Sequence, residues 1–193
     1  MITYVNLIGL FVTLVLTHVF YSRSVQPAKL SNKIGDRAYK VCGIYRNLAS
    51  ISMMLHVAGY IIYFFYPLPI GLAQKFPWGW TVSIIIAVGI ALPALYLMIR
   101  GVIDAGEETM SPKKEHRMYG GIYQRIRHPQ AMGELPIWLV IAFLLDSPFL
   151  VLLSIVWIPF FFWWCFIEER DLVLRYGDAY EEYRRRVGMF FPK

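Results

Sequence analysis

A chain of 193 residues that is 58% hydrophobic, only 17% charged and +6 in formal net charge departs from a soluble composition. Soluble domains run at roughly 45–50% apolar and about 25% charged residues, and a chain this short has too little interior to hide the excess. Disorder is excluded by 17% aromatic residues and long apolar runs, and the positive charge lies between those runs, which points to membrane topology rather than nucleic acid.

Residues 2–21 carry no charge and are long enough to cross about 30 Å of hydrocarbon. No basic residue precedes them and no small-x-small site follows, so a retained helix is expected rather than a signal peptide. His18, near the end of this run, is expected at the interface. The second run, residues 44–66, is ended by Pro67 and Pro69. Arg46 near its start is expected to snorkel outward. His56 at its middle is read as a core histidine bonded to a neighbouring helix, although an intramembrane ionisable group is by default a functional hypothesis. The third run, residues 78–99, has Trp78 and Trp80 as interfacial anchors and Pro93 as a kink.

The last run, residues 135–167, is too long for one span, and Asp146-Ser147-Pro148 reads as a tight turn. A hairpin of helices 130–145 and 148–167 follows, with arms of about 24 and 30 Å, the first barely spanning. The expected fold is all-α, a polytopic integral-membrane protein of five transmembrane helices in one domain over 1–193. Basic residues fall in segments 22–43 and 100–128 and in the tail, whereas the two opposite loops hold Lys75 alone. The N-terminus is thus expected outside and the C-terminus in the cytoplasm. Cys42 and Cys165, near basic segments, are expected reduced, and no Cys/His spacing suggests a metal.

Polar chemistry must sit between the spans. In segment 115–129, Gly120-Gly121 allows unusual dihedrals, and Pro129 suits a first helical turn, making His128 the N-cap of the fourth helix. That helix start is an anion site at the membrane boundary; a basic loop meeting lipid headgroups is the alternative. Beyond the hairpin comes Glu168-Glu169-Arg170-Asp171, then Leu172, Tyr176, Tyr180, Tyr183 and Val187 on one face of an amphipathic helix interrupted by Gly177. The hairpin returns the chain to its starting face, so Glu168 and Glu169 are expected beside His128, unless they merely pair with Arg125, Arg127 or Arg170 on a solvated face.

Gly121-x-Tyr123, Arg127-His128-Pro129, Gly133-Glu134, then Glu168-Glu169, Leu172, Tyr176-Gly177, Tyr180, Tyr183, Val187 and Pro192 together resemble the isoprenylcysteine carboxyl methyltransferase family, related to the phospholipid methyltransferases. The resemblance covers roughly the C-terminal 80 residues. It implies a membrane-embedded methyltransferase using S-adenosylmethionine and releasing S-adenosylhomocysteine, with residues 101–193 as its catalytic region and the cofactor pocket on the cytoplasmic side. It assigns the cofactor to Glu115, His116, Arg117, Met118, Tyr123, His128, Pro129, Gln130, Ala131 and Glu168, and catalysis to Arg127, His128, Glu168 and Glu169. The acceptor is then lipophilic, a prenylated cysteine or a lipid, alongside membrane lipids as partners and no nucleic acid.

Two positions depart from the family pattern. Ala131 stands where a tyrosine is common, and Trp164 stands where prenylcysteine enzymes carry an arginine. Slow carboxyl methylation, improved by Trp164→Arg, is the expectation, with Arg127 or Arg175 able to substitute only if the loop or tail helix folds over the hairpin end. Lipid-amine N-methylation is the alternative within the class. A transporter or sensor subunit and a non-catalytic assembly protein are the alternatives outside it.

Overall fold

The computed structural model describes residues 1–114 and 120–193. Glu115, His116, Arg117 and Met118, expected at the cofactor, lie outside the described residues. Among those described, the regular elements are helices: α1 Ile2–Ser24, α2 Pro27–Ile34, α3 Arg37–Phe65, α4 Trp80–Ala105, α5 Pro129–Leu144, α6 Pro148–Ile155, α7 Trp157–Tyr176 and α8 Asp178–Arg186, with 3-10 turns at Gly106–Thr109 and Gly121–Gln124.

Four stretches are long and apolar enough to cross a membrane: Ile2–Ser24, Arg37–Phe65, Trp80–Thr109 and Pro148–Tyr176. Helix α5 is apolar but has 16 residues, about 24 Å of rise. Four of the five expected spans are thus long and apolar enough to cross, and α5 is a shorter apolar helix. Val5, Phe11, Met54, Ile85 and Leu92 face out of the protein, an apolar surface suited to lipid rather than water.

Helix α1 packs along α3, and α4 along α5. A Cβ at Gly133 would stand 2.4 Å from both the Ala94 carbonyl oxygen and the Met98 amide nitrogen, so only glycine lets α5 seat this closely on α4. The hairpin turn forms where expected. Ser83 Oγ donates to Asp146 Oδ1 at 2.6 Å and Trp80 Nε1 to the Leu144 carbonyl at 2.8 Å, tying the start of α4 to that turn.

Two expectations about the second arm are corrected. It is not one helix over 148–167: it breaks at Val156, because Pro159 has no N–H to offer the Ile155 carbonyl. It also does not stop at Ile167, since α7 runs on to Tyr176 and ends where Gly177 adopts φ 58°. The stripe from Leu172 to Val187 is thus shared between α7 and α8 and the residue after it, rather than carried by one amphipathic helix.

The interior of the bundle is aromatic. Trp138 and Trp157 stack with centroids 4.5 Å apart and planes 2° apart, and His56 meets them edge-on at 5.2 and 5.1 Å. The Thr13 hydroxyl of α1 lies 2.8 Å from His56 Nδ1, so His56 is the core histidine expected. Trp164 belongs to the same interior: it is 2% exposed and packs on Tyr21 and Phe161 at 4.5 and 4.9 Å. An arginine at 164 would enter this ring cluster one helical turn before Glu168, and the cost of burying a guanidinium among rings counts against the expected gain in carboxyl methylation.

Candidate functional site

The site is assembled around the end of α4. Asp104 accepts from the Ile122 amide at 2.7 Å and pairs with Arg100 at 2.9 Å. A Cβ at Gly121 (φ 58°) would fall 2.2 Å from the Asp104 carboxylate, so glycine is required there twice over. The turn this seats aims Tyr123 inward, where its hydroxyl donates to the Gly101 carbonyl at 3.2 Å and accepts from Gln130 Nε2 at 3.0 Å. Burial raises the Tyr123 phenol.

Pro129 opens α5 with His128 at the N-cap, as expected. The imidazole does not cap the helix; it turns toward α7, with Nε2 3.1 Å from Glu169 Oε1 and Nδ1 3.6 Å from Glu168 Oε2. Burial alone would depress this ring, but the Cys165 side chain and the two carboxylates outweigh it, and its pKa stands well above 6.5. Glu169 also accepts from Arg127 Nε at 2.7 Å. Arg127 in turn donates to the carbonyls of Arg184 and Val187 at 2.9 and 2.6 Å, a cation at the C-terminus of α8 where the helix dipole favours one. The backbone closes the unit, since the Arg127 and His128 amides donate to Gly188 and Met189 at 3.0 and 3.2 Å.

The pairing of glutamate with Arg127 considered from sequence thus holds for Glu169, whose side chain is 7% exposed. It does not hold for Glu168, which is 33% exposed and opens into a cleft of about 750 Å³ counting its mouth. Tyr123, Arg127, His128, Gln130, Ala131 and Glu168 line the cleft together. Pro129 is buried and, like Glu169, is not among its lining residues.

Other lining residues were not anticipated as a set. Tyr176, Tyr180 and Tyr183 bring the stripe to the cleft, with Tyr183 donating to the Tyr123 carbonyl at 2.6 Å; burial pushes the Tyr183 phenol up to about 12. Tyr21 enters from α1 and Arg46 from α3. Arg46 does not snorkel outward: its NH1 donates to the carbonyls of Glu108 and Thr109, both at 2.8 Å. Its Nε is buried and has no acceptor among the described residues. An arginine inside an apolar run was the signal for it. Arg175 pairs with Glu108 at 2.5 Å, both side chains 5% exposed; its Nε and NH2, like Arg46 Nε, have no acceptor among the described residues, but Arg46 and not Arg175 lines the cleft.

Chemically, the cleft offers a partly exposed carboxylate for a cation or hydroxyls, and a helix start plus an orphaned guanidinium N–H for an anion. Tyrosine faces suit a delocalised or onium charge. Those features fit the amino-acid end and the sulfonium of S-adenosylmethionine.

The family model described as phospholipid methyltransferase matches residues 82–179, a stretch holding most of the residues that line the cleft. A protein-S-isoprenylcysteine O-methyltransferase of Schizosaccharomyces pombe (strain 972 / ATCC 24843) is 32% identical over 114 residues, 55% of this chain and 48% of that protein. The chain therefore matches about half the length of this curated relative. No solved structure matches.

Proposed function

The chain belongs to the phospholipid methyltransferase family, and from that premise we propose that it is an integral-membrane, S-adenosylmethionine-dependent methyltransferase acting on a lipophilic acceptor, with a prenylated cysteine carboxylate as the leading class. The observation that carries this reading is the meeting of His128, Glu168, Gln130 and the tyrosines in one cleft inside the family-matched stretch. In the proposed topology α5 completes five spans, the N-terminus is outside, and the cleft faces the cytoplasm with the C-terminus. The whole chain acts as one domain.

In this reading Glu168 holds the cofactor's ammonium or ribose hydroxyls, and the start of α5 with Arg46 Nε takes its carboxylate. When bound, S-adenosylmethionine supplies an electrophilic methyl group on a sulfonium. A carboxylate acceptor carries no proton, so the protein's work is to orient and to exclude water. His128, held charged between two glutamates, orients Glu168 and Glu169, while Arg127 fixes Glu169 and clamps the tail. An amine acceptor would need to lose a proton first. Glu168 is the base for that case, since its carboxylate opens into the cleft, whereas His128 has its pKa raised by its surroundings.

Lipid-amine methylation is the second reading, favoured because Arg127 is paired with Glu169, and Arg175, paired with Glu108, is not among the residues lining the cleft. The deciding experiment incubates membranes with methyl-labelled cofactor, a farnesylated cysteine and phosphatidylethanolamine. Alkali-labile label on the farnesylated cysteine supports the leading reading, label on the lipid amine alone promotes the second, and no transfer to either contradicts both.

A further inference from the structure

A second cavity lies across Trp164 from the cleft. Tyr21 and His18 pack on Trp164 at 4.5 and 6.2 Å; Tyr21 lines the cleft, whereas His18 lines an open groove bounded by the end of α1, the start of α2 and α7. This groove encloses about 1,310 Å³ counting its mouth, and its lining is graded. Val19, Trp163, Ile167 and Leu174 form an apolar part, and Arg23, Lys29 and Arg170 a cationic part.

Among the described residues none of these three cations makes an ion pair. The carboxylate that lines the same groove, Asp171, is committed to backbone: it accepts from the Ala28 and Lys29 amides at 2.9 and 2.7 Å, capping α2. Two further groove residues, one helical turn apart on α1, carry buried polar atoms without a partner among the described residues, His18 Nδ1 and Ser22 Oγ. A groove where three helices bring together three cations without ion pairs and two orphan polar atoms beside an apolar wall suits a ligand with a negative head and a hydrocarbon body.

We propose that this groove binds an anionic phospholipid, its phosphate among Arg23, Lys29, Arg170 and Ser22 and one acyl chain along Val19, Trp163, Ile167 and Leu174. The site is independent of the methyl-transfer reading and rests only on the membrane setting. A lipid whose headgroup carries no net charge gains less, because its own ammonium opposes the same cations.

The test is native mass spectrometry of the purified full-length chain offered equimolar phosphatidylglycerol and phosphatidylcholine. Retention of phosphatidylglycerol by about tenfold is expected, falling roughly fivefold for each of Arg23→Gln and Arg170→Gln. Lys33→Gln and Lys40→Gln, cations outside the groove, leave the preference unchanged. Arg170→Lys keeps it, which separates charge from folding if the glutamine variants are unstable. Equal retention of the two lipids by the wild type, or equal losses in the control variants, would overturn the proposal. Displacement of the lipid by inorganic phosphate would also overturn it, by showing a soluble-anion site instead.

Discussion

His56 and His128 are both buried, yet they show how differently the two ends of the molecule work. His56 sits among Tyr60, Trp138 and Trp157 with one hydroxyl, Thr13, as its partner. His128 sits between Glu168 and Glu169, with Arg127 behind them. One environment is rings and one is paired charges. A histidine in the first joins helices; a histidine in the second is held charged and can orient carboxylates at an open cleft. Ionisable residues in a membrane protein are therefore to be read by their counter-charges, not by their depth alone.

The sharpest way to break this contrast is to force charge into the aromatic end. Trp164→Arg is expected to cost several kcal/mol, roughly 3–5, the scale of an uncompensated buried charge. Thermal unfolding in detergent measures it, and carboxyl methylation should fall rather than rise. At the charged end, Glu169→Ala strips the common partner of Arg127 and His128. A loss of about 3 kcal/mol is expected by the same measurement, together with loosening of the C-terminal tail, detectable as faster proteolysis after residue 186.

Glu168→Gln separates binding from folding. Its side chain is a third exposed, so stability should change little while cofactor affinity falls by about 1–3 kcal/mol. The pH profile sharpens the same point. His128 has its pKa raised by folding, so its stabilising contribution is complete below the ordinary value of 6.5 and is lost as pH rises through the raised one. Stability is expected to decline on the alkaline side, and His128→Gln should flatten that limb. The smallest effect belongs to Thr13→Ala, which orphans His56 for about 1 kcal/mol and leaves cofactor binding untouched.

What was legible in the sequence was local. Asp146-Ser147-Pro148 made the turn, Pro129 opened a helix with His128 at its cap, and the hairpin brought Glu168 and Glu169 back to that cap. Such features are encoded by backbone preference and periodicity over a few residues. The second arm misled at both ends: Pro159 breaks a helix inside an unbroken apolar run, and α7 continues past the end of that run through the charged residues 168–171 until Gly177 stops it. The places of Arg46 and Tyr21 in the cleft were missed because both residues reach it from helices far along the chain. Arg46 meets Glu108 and Thr109 across 62 and 63 residues, and no spacing rule records a contact of that separation. The role of Arg127 as a cap for α8 was hidden for the same reason, since it depends on carbonyls of the tail that fold back beside it.

The central claim is that the cleft beside His128 and Glu168 binds S-adenosylmethionine while the aromatic end only holds the helices together. Equilibrium binding of labelled S-adenosylmethionine to the purified wild-type chain, Glu168→Gln and Thr13→Ala tests it directly, with unfolding temperatures recorded on the same samples. The account predicts saturable binding by the wild type, affinity reduced about 5- to 150-fold in Glu168→Gln at unchanged stability, and wild-type affinity in Thr13→Ala. Wild-type affinity in a folded Glu168→Gln protein, or no binding by the wild type at all, would contradict it.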